Sequence, residues 1–203
     1  MTYSWNNRYF LTGTYRRDYA GRLPEGNKYG DFPGVTGAWK ISEEPFMPKS
    51  DILNLLKIRG SWGRIGNLST ISLTYGNPTL SLAAKGSNGG LIGKDTPPVN
   101  QVYYSTAFNP FLTWKTLEQA DFGVDVELLN NRLSFSAEYF NKRTFNLIKT
   151  QDMGWPGYLG VDPKTINEGE IFNTGFEFSV GWQDKIGNVS YFVNGNLATL
   201  KTV

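Results

Sequence analysis

The sequence predicts an all-β chain, part of an antiparallel up-and-down transmembrane β-barrel, with about seven long strands, short turns at one end and long loops at the other. Three observations predict it. Apolar and polar residues alternate with period two along most of the chain, the pattern of a strand with two unlike faces. Of 203 residues, 15% are aromatic, with 23 Gly and 10 Pro, a composition that favours strands and turns and interrupts helices. The connections also alternate short and long.

The elements follow in chain order. Tyr9, Leu11, Gly13 and Tyr15 alternate with Thr12, Thr14 and Arg16; Val35, Gly37, Trp39 and Ile41 with Thr36, Ala38 and Lys40; Leu56, Ile58, Gly60 and Trp62 with Lys57, Arg59 and Ser61. The clearest signal lies between Trp114 and Leu147. There Phe122, Val124, Val126 and Leu128 share one face, Asp121, Asp125 and Glu127 the other, and the parity switches after Asn130-Asn131 to Leu133, Phe135, Ala137 and Tyr139. Asparagine tolerates the left-handed backbone that a two-residue type I′ loop needs, so this is a hairpin of known register. Leu128 faces Leu133, Val126 faces Phe135, Val124 faces Ala137, Phe122 faces Tyr139, and further out Glu118 faces Arg143. Phe176, Phe178, Val180 and Trp182 form the next strand, and after a turn at Asp184 to Asn188 come Tyr191, Val193 and Leu197.

Strand length decides the environment. Strands of soluble proteins run about five or six residues, whereas each arm of this hairpin alternates for roughly three times that. The ten residues from Glu118 to Leu128 span about 33 Å at ~3.3 Å each, and a ~40° tilt projects them onto the ~25 Å apolar band of an outer-membrane barrel. The turns at Asn130-Asn131 and Asp184 to Asn188 are short, and Ser42 to Asp51 is a modest link with a helical turn near Ser42-Glu43-Glu44; Tyr19 to Gly30, Asn67 to Leu112 and Lys149 to Glu168 are long. That is the layout of short periplasmic turns and long extracellular loops.

Composition removes several functions. Without cysteine there is no disulfide framework, thiol nucleophile or thiolate metal site, and without histidine the usual general base and imidazole metal ligand are missing. Twenty Lys and Arg against 18 Asp and Glu, interspersed, give no clustered basic face for nucleic acid. The N-terminal residues carry no secretory-signal pattern, and no apolar run approaches the roughly 20 residues of a membrane-spanning helix. No motif calls for a cofactor.

Several motifs, in order, carry a family resemblance. Arg8 to Asp18, Gly30 to Val35 leading into Ala38 to Glu44, Leu56 to Asn67, Asn109-Pro110 with Leu112 to Thr116, Asn130 to Leu133, Glu138 to Lys142, and Asn167 to Ile171 before Asn173 to Glu177 resemble the barrel of SusC/RagA-type TonB-dependent outer-membrane transporters. One departure is Tyr19-Ala20-Gly21-Arg22, where the family usually reads Gly-Ser-Ser-Arg. The resemblance implies a later, C-terminal piece of such a barrel over residues 1–203, without the signal peptide, plug domain or TonB-contacting segment, and with an odd strand count that leaves two open edges. It also implies residence in the Gram-negative outer membrane, contact with lipid, and energised uptake of an oligosaccharide or peptide. The partners it implies are the TonB complex and a SusD-like surface lipoprotein, and it implies no enzymatic chemistry. The rival reading is a soluble β-sandwich or propeller segment that binds carbohydrate, which accounts for the aromatics and not for strands of membrane length.

Individual residues receive these expectations. Trp39, Trp62, Trp114 and Trp182 form aromatic girdles at the ends of the apolar face. Glu118 and Arg143 make a cross-strand ion pair at the outer rim, and Arg16, Lys40, Lys57, Arg59, Asp121, Asp125, Glu138 and Glu177 face the lumen. Trp155, Tyr158, Tyr103 and Tyr104 lie in long loops and are the candidate substrate contacts. Gly60, Gly63 and Gly66 mimic phosphate-loop spacing but open no helix, and Asp125 with Glu127 belongs to a polar strand face with nothing to make it a glycosidase pair.

Overall fold

The computed structural model describes residues 1–48, 50–71, 75, 80–82, 102–104, 106–151 and 162–203. Eight strands form one antiparallel sheet: β1 (Thr2–Trp5), β2 (Tyr9–Tyr19), β3 (Tyr29–Lys40), β4 (Leu53–Asn67), β7 (Lys115–Leu128), β8 (Leu133–Phe145), β11 (Glu170–Ile186) and β12 (Val189–Thr202), in that spatial order. Two small sheets decorate the long connections, β5 (Leu80–Leu82) with β6 (Val102–Tyr104), and β9 (Ile148–Thr150) with β10 (Thr165–Asn167). Each strand of the main sheet pairs with its neighbours in the chain, allowing for those insertions, which is the up-and-down meander that the alternation predicts.

The β7–β8 register agrees residue for residue with expectation, from Leu128 opposite Leu133 to Glu118 opposite Arg143. Leu129, Asn130 and Asn131 all take φ near +60°, and the Arg132 amide donates to the Leu129 carbonyl at 3.3 Å. The same chemistry explains an element missed in the sequence. Asn6 and Asn7 have φ of 50° and 53°, the Arg8 amide reaches the Trp5 carbonyl at 3.0 Å, and β1 folds back on β2 as an eighth strand where seven were expected. The strand count is therefore even. At the other end, β11 and β12 extend until only Gly187 and Asn188 separate them, with Gly187 at φ 61°. The expected helical turn is a single 3-10 turn over Ile41–Glu43.

One irregularity keeps the faces in phase. Between β4 and β7 the register shifts, Leu53 opposing Leu128 and Leu55 opposing Glu127. The bulge inserts Asn54, whose side-chain oxygen accepts the Asn131 amide at 3.2 Å, so that Leu53 and Leu56 both stay on the apolar side.

Registers assign the two faces. One carries Tyr9, Leu11, Tyr15, Val35, Trp39, Leu56, Ile58, Trp62, Phe122, Val124, Val126, Phe135, Tyr139, Phe176, Val180 and Trp182; the other carries Thr12, Thr36, Lys57, Arg59, Asp121, Asp125, Ser136, Glu138, Glu177 and Asn196. Nothing covers the apolar face among the described residues: Phe122 is 55% exposed and Phe176 50%. The buried hydrophobic cluster is elsewhere, at the long-loop end. It is built from Ala20, Leu23, Phe32, Leu68, Ile71, Leu112 and Trp114, with Leu23 and Leu112 fully enclosed.

Candidate functional site

The polar face holds a connected charge network at its centre. β4 supplies Lys57, Arg59 and Ser61, β7 supplies Asp121 and Asp125, and β8 supplies Ser136 and Glu138, all on one side of the pleat. Arg59 lies across Gly123, its Nε 3.3 Å from Asp125 and its Nη2 2.5 Å from Glu138. Lys57 Nζ stands 3.5 Å from Asp125, and the Ser136 hydroxyl donates to Asp125 at 2.9 Å. Below it the Ser61 hydroxyl and the Gln119 amide both donate to Asp121 at 2.8 Å. Gly123 leaves room for this arrangement, because a Cβ at that position would sit 2.9 Å from the Arg59 Cζ and the guanidinium would have to shift. Glu177 stands directly opposite Glu138 on β11 and forms no ion pair among the described residues. The pairs are half-exposed, a regime in which each is worth ~0 to 1 kcal/mol, so the network shapes a wetted polar wall more than it stabilises the sheet.

All eight charged residues expected on the polar face are on it: Arg16, Lys40, Lys57, Arg59, Asp121, Asp125, Glu138 and Glu177. The expected rim pair is corrected. Glu118 and Arg143 are ladder neighbours, but Arg143 turns to Glu170 at 2.6 Å and Glu118 to Arg64 at 2.5 Å. A strand inside a sheet has two neighbours, and the pairing seen along one hairpin ignored the other. A third pair, Arg17 with Asp31 at 2.8 Å, lies on the same face at the same end.

Three of the four tryptophans expected in girdles stand at an end of the apolar face. Trp39 stacks through Tyr9 onto Trp5 at the turn end, with centroid distances of 6.1 and 5.6 Å, and Trp182 shares that end. Trp62 lies toward the loop end beneath the Arg64 guanidinium. Trp114 does not belong. It precedes β7, so strand alternation does not bind it; its ring packs edge-on against Phe32 at 5.4 Å and its Nε1 donates to the Asn27 carbonyl at 3.2 Å. It is a core residue of the loop end.

That loop end is stitched by groups the period-two pattern could not expose. The Asn167 side chain accepts the Thr113 amide at 2.7 Å and donates to the Thr113 and Asn146 carbonyls at 2.9 and 3.1 Å. Asn109 Nδ2 donates to the Thr165 carbonyl at 2.9 Å, and Arg22 reaches the Leu68 and Ile71 carbonyls at 3.3 and 3.1 Å. Both asparagines sit in motifs that carry the family resemblance. At the opposite end, Glu44 is buried in the link after β3. It accepts Trp39 Nε1 at 2.9 Å, with Arg8 3.5 Å away. The Tyr9 hydroxyl bond is the main influence holding its carboxyl below the ordinary glutamate value; Trp39 and Arg8 act the same way, and burial opposes them.

Of the candidate substrate contacts, Tyr103 and Tyr104 lie in β6, whose backbone pairs Tyr103 with Ser81 and Tyr104 with Leu80. Trp155 and Tyr158 lie outside the described residues. Gly60, Gly63 and Gly66 are all interior to β4 and precede no helix.

Known proteins place this architecture. The family described as TonB dependent receptor-like, beta-barrel matches residues 1–202. The chain belongs to that family. Among curated relatives it is 34% identical over 180 residues to TonB-dependent receptor P3 of Formosa agariphila and 30% identical over 184 residues to TonB-dependent receptor SusC of Bacteroides thetaiotaomicron; each alignment covers 89% of this chain and 17% of the relative. Among solved structures, the RagAB peptide importer in its open-open state superposes with a TM-score of 0.82 at 23% identity, over 99% of this chain and 21% of that one. The chain thus spans about a fifth of the length of the proteins it matches. It is similar to SusC and RagA barrels over nearly its whole length, and the family resides in the outer membrane of Gram-negative bacteria. The soluble sandwich or propeller is not favoured.

Proposed function

We propose that this chain forms part of the barrel wall of a TonB-dependent transporter for energised uptake of an oligosaccharide or a peptide. One observation carries the reading: a single sheet presents an uncovered apolar face and, on its reverse, a charged hydrophilic face. Along β11 the apolar side runs from Phe172 to Trp182 without a charge, ten residues or about 33 Å of strand. At a ~40° tilt that is one ~25 Å membrane band. A soluble protein rarely leaves so large a patch bare. The apolar face meets lipid and the Arg59 network lines the aqueous lumen.

The wall supplies no bond-making chemistry of its own. Family membership supports the TonB complex as the energy source, a SusD-like lipoprotein as the surface partner, and a plug and TonB-contacting segment in the whole protein outside these residues. The tyrosines and tryptophan of the long loops, Tyr103, Tyr104, Tyr158 and Trp155, stay the candidates for substrate contact, since flat rings stack on sugars and peptides alike.

The test uses the full-length protein. Val124→Arg on the apolar face should cost ~2 to 4 kcal/mol near the midplane and lower the outer-membrane level, while Glu127→Gln on the polar face should not. Cells lacking the transporter should lose protonophore-sensitive uptake of either a labelled oligopeptide or a labelled oligosaccharide. Normal insertion of Val124→Arg would end the lipid-facing reading, and unchanged uptake of both solutes would end the transport reading.

A further inference from the structure

We propose that the loop end of the apolar face is a docking belt for phosphorylated lipid headgroups, with the guanidinium groups of Arg17, Arg64 and Arg143 as the phosphate donors. The inference rests on the membrane reading above. It starts from a pattern across strands that no single strand shows. Going through the sheet in spatial order, the charges on the apolar side at this end are Arg17 on β2, Asp31 on β3, Arg64 on β4, Glu118 on β7, Arg143 on β8, Glu170 on β11 and, one rung further in, Lys201 on β12, alternating in sign over seven consecutive strands. Arg17 directly opposes Asp31, Arg64 opposes Glu118, and Glu118 opposes Arg143, so the row follows the ladder.

The arginines share one construction. Each lies over an aromatic ring: Arg17 over Tyr29 at 5.4 Å, Arg64 over Trp62 at 5.4 Å, Arg143 over Phe145 at 5.1 Å and Phe172 at 5.5 Å. Each spends its Nε on the neighbouring carboxylate. Arg17 and Arg143 add one Nη contact to the same carboxylate, while Arg64 adds none among the described residues, so every guanidinium keeps unspent N–H groups. Their side chains are 59%, 43% and 45% exposed, on the side away from the lumen. Stacking and the carboxylate hold each planar fork flat at the height where the uncharged band ends, and headgroups begin at that height.

The chemistry selects phosphate. A guanidinium fork matches a phosphate with paired, charge-assisted hydrogen bonds, whereas an uncharged sugar headgroup offers no counter-charge. Exposed Arg–carboxylate pairs are weak enough to yield to it. The acids keep the empty belt close to neutral, so its cations can stand on one apolar rim.

The test is lipid binding by the purified full-length transporter in detergent micelles doped with a diphosphorylated glucosamine glycolipid, or with the same lipid after enzymatic dephosphorylation, read by native mass spectrometry. Every protein is first checked for heat-modifiable migration; its absence in the wild type would count against the membrane reading and not against the belt. The wild type should prefer the phosphorylated lipid, Arg64→Gln should weaken binding by about fivefold, and the triple Arg→Gln variant by more. Glu118→Gln, which releases Arg64, should strengthen binding, so the belt stays falsifiable if the triple variant does not fold. Equal binding of both lipids by the wild type, no loss in Arg64→Gln, or weaker binding in Glu118→Gln would overturn it. So would a co-purifying polypeptide lost in Arg64→Gln without any lipid preference.

Discussion

The two ends of the sheet finish the same strands in different ways. At the turn end three of the four connections are built on Asn-Asn or Gly-Asn pairs, the fourth being the link that holds Glu44, and the apolar face closes with stacked rings, Trp5 on Tyr9 on Trp39, anchored to the buried Glu44. At the loop end it closes with alternating ion pairs, and beyond them sits a side-chain core assembled from two separate connections and Phe32 of β3, with Ile148 of a third connection packed against it. Backbone geometry dominates the first end and side-chain packing the second. Only the second has a packed interior whose loss can be felt as a cavity.

That contrast is broken most severely by emptying the loop-end core. Trp114→Ala removes a ring that is 9% exposed and packed edge-on against Phe32, and should cost ~3 to 5 kcal/mol. Trp39→Ala at the turn end removes one stack and one hydrogen bond and should cost about 1 to 3 kcal/mol. Urea unfolding of the full-length protein in lipid vesicles compares them; equal losses would mean that the loop-end cluster is not a core.

A gentler change acts between the ends. Gly123→Ala should push the Arg59 guanidinium off its bed and separate it from Asp125 and Glu138 while leaving the ladder intact. A change of ~1 kcal/mol or less is expected, as for other half-exposed pairs. The sharper readout is a single-channel or solute-flux measurement on plug-deleted barrels, where ion selectivity should shift; unchanged selectivity would mean that the network does not face the pore.

The smallest effect concerns acid. Because the Glu44 carboxyl is held below its ordinary value, its bonds add stability that is complete above that value and is lost as pH falls through the lowered one. Hydrogen-exchange protection factors over residues 37–47, with the intrinsic pH dependence divided out, should fall in acid for the wild type. In Glu44→Gln they should be lower at neutral pH already and nearly independent of pH, whereas a wild-type acid response retained by Glu44→Gln would locate the proton elsewhere.

Sequence legibility follows the same division. Everything governed by period two was readable: the β7–β8 register, the face of Asp121 and Asp125, the lengths that separate a membrane wall from a soluble sheet. β1 was within reach as well, because Tyr3 and Trp5 alternate with Thr2 and Ser4 and Asn6-Asn7 repeats the Asn130-Asn131 signal, though four residues make a short pattern. What stayed hidden depends on a third dimension. Ion partners of Glu118 and Arg143 come from β4 and β11, and the loop-end core joins Leu23 to Leu112 through residues with no common period. Trp114 misled because the alternation was extended one residue past the strand that produces it.

The insertion between β4 and β7 has a consequence for how such walls diversify. Its two flanking strands are locked by registered pairs from Leu53 opposite Leu128 to Asn67 opposite Lys115. Residues 68–114 leave and return at adjacent ladder positions, so the backbone pairing of the wall does not depend on the length of chain carried between the core residues Ile71 and Leu112. Closure entropy grows only logarithmically, and doubling that connection would cost about 0.6 kcal/mol. Natural variation can therefore lengthen or rebuild the stretch between those core residues at little cost to the paired strands on either side.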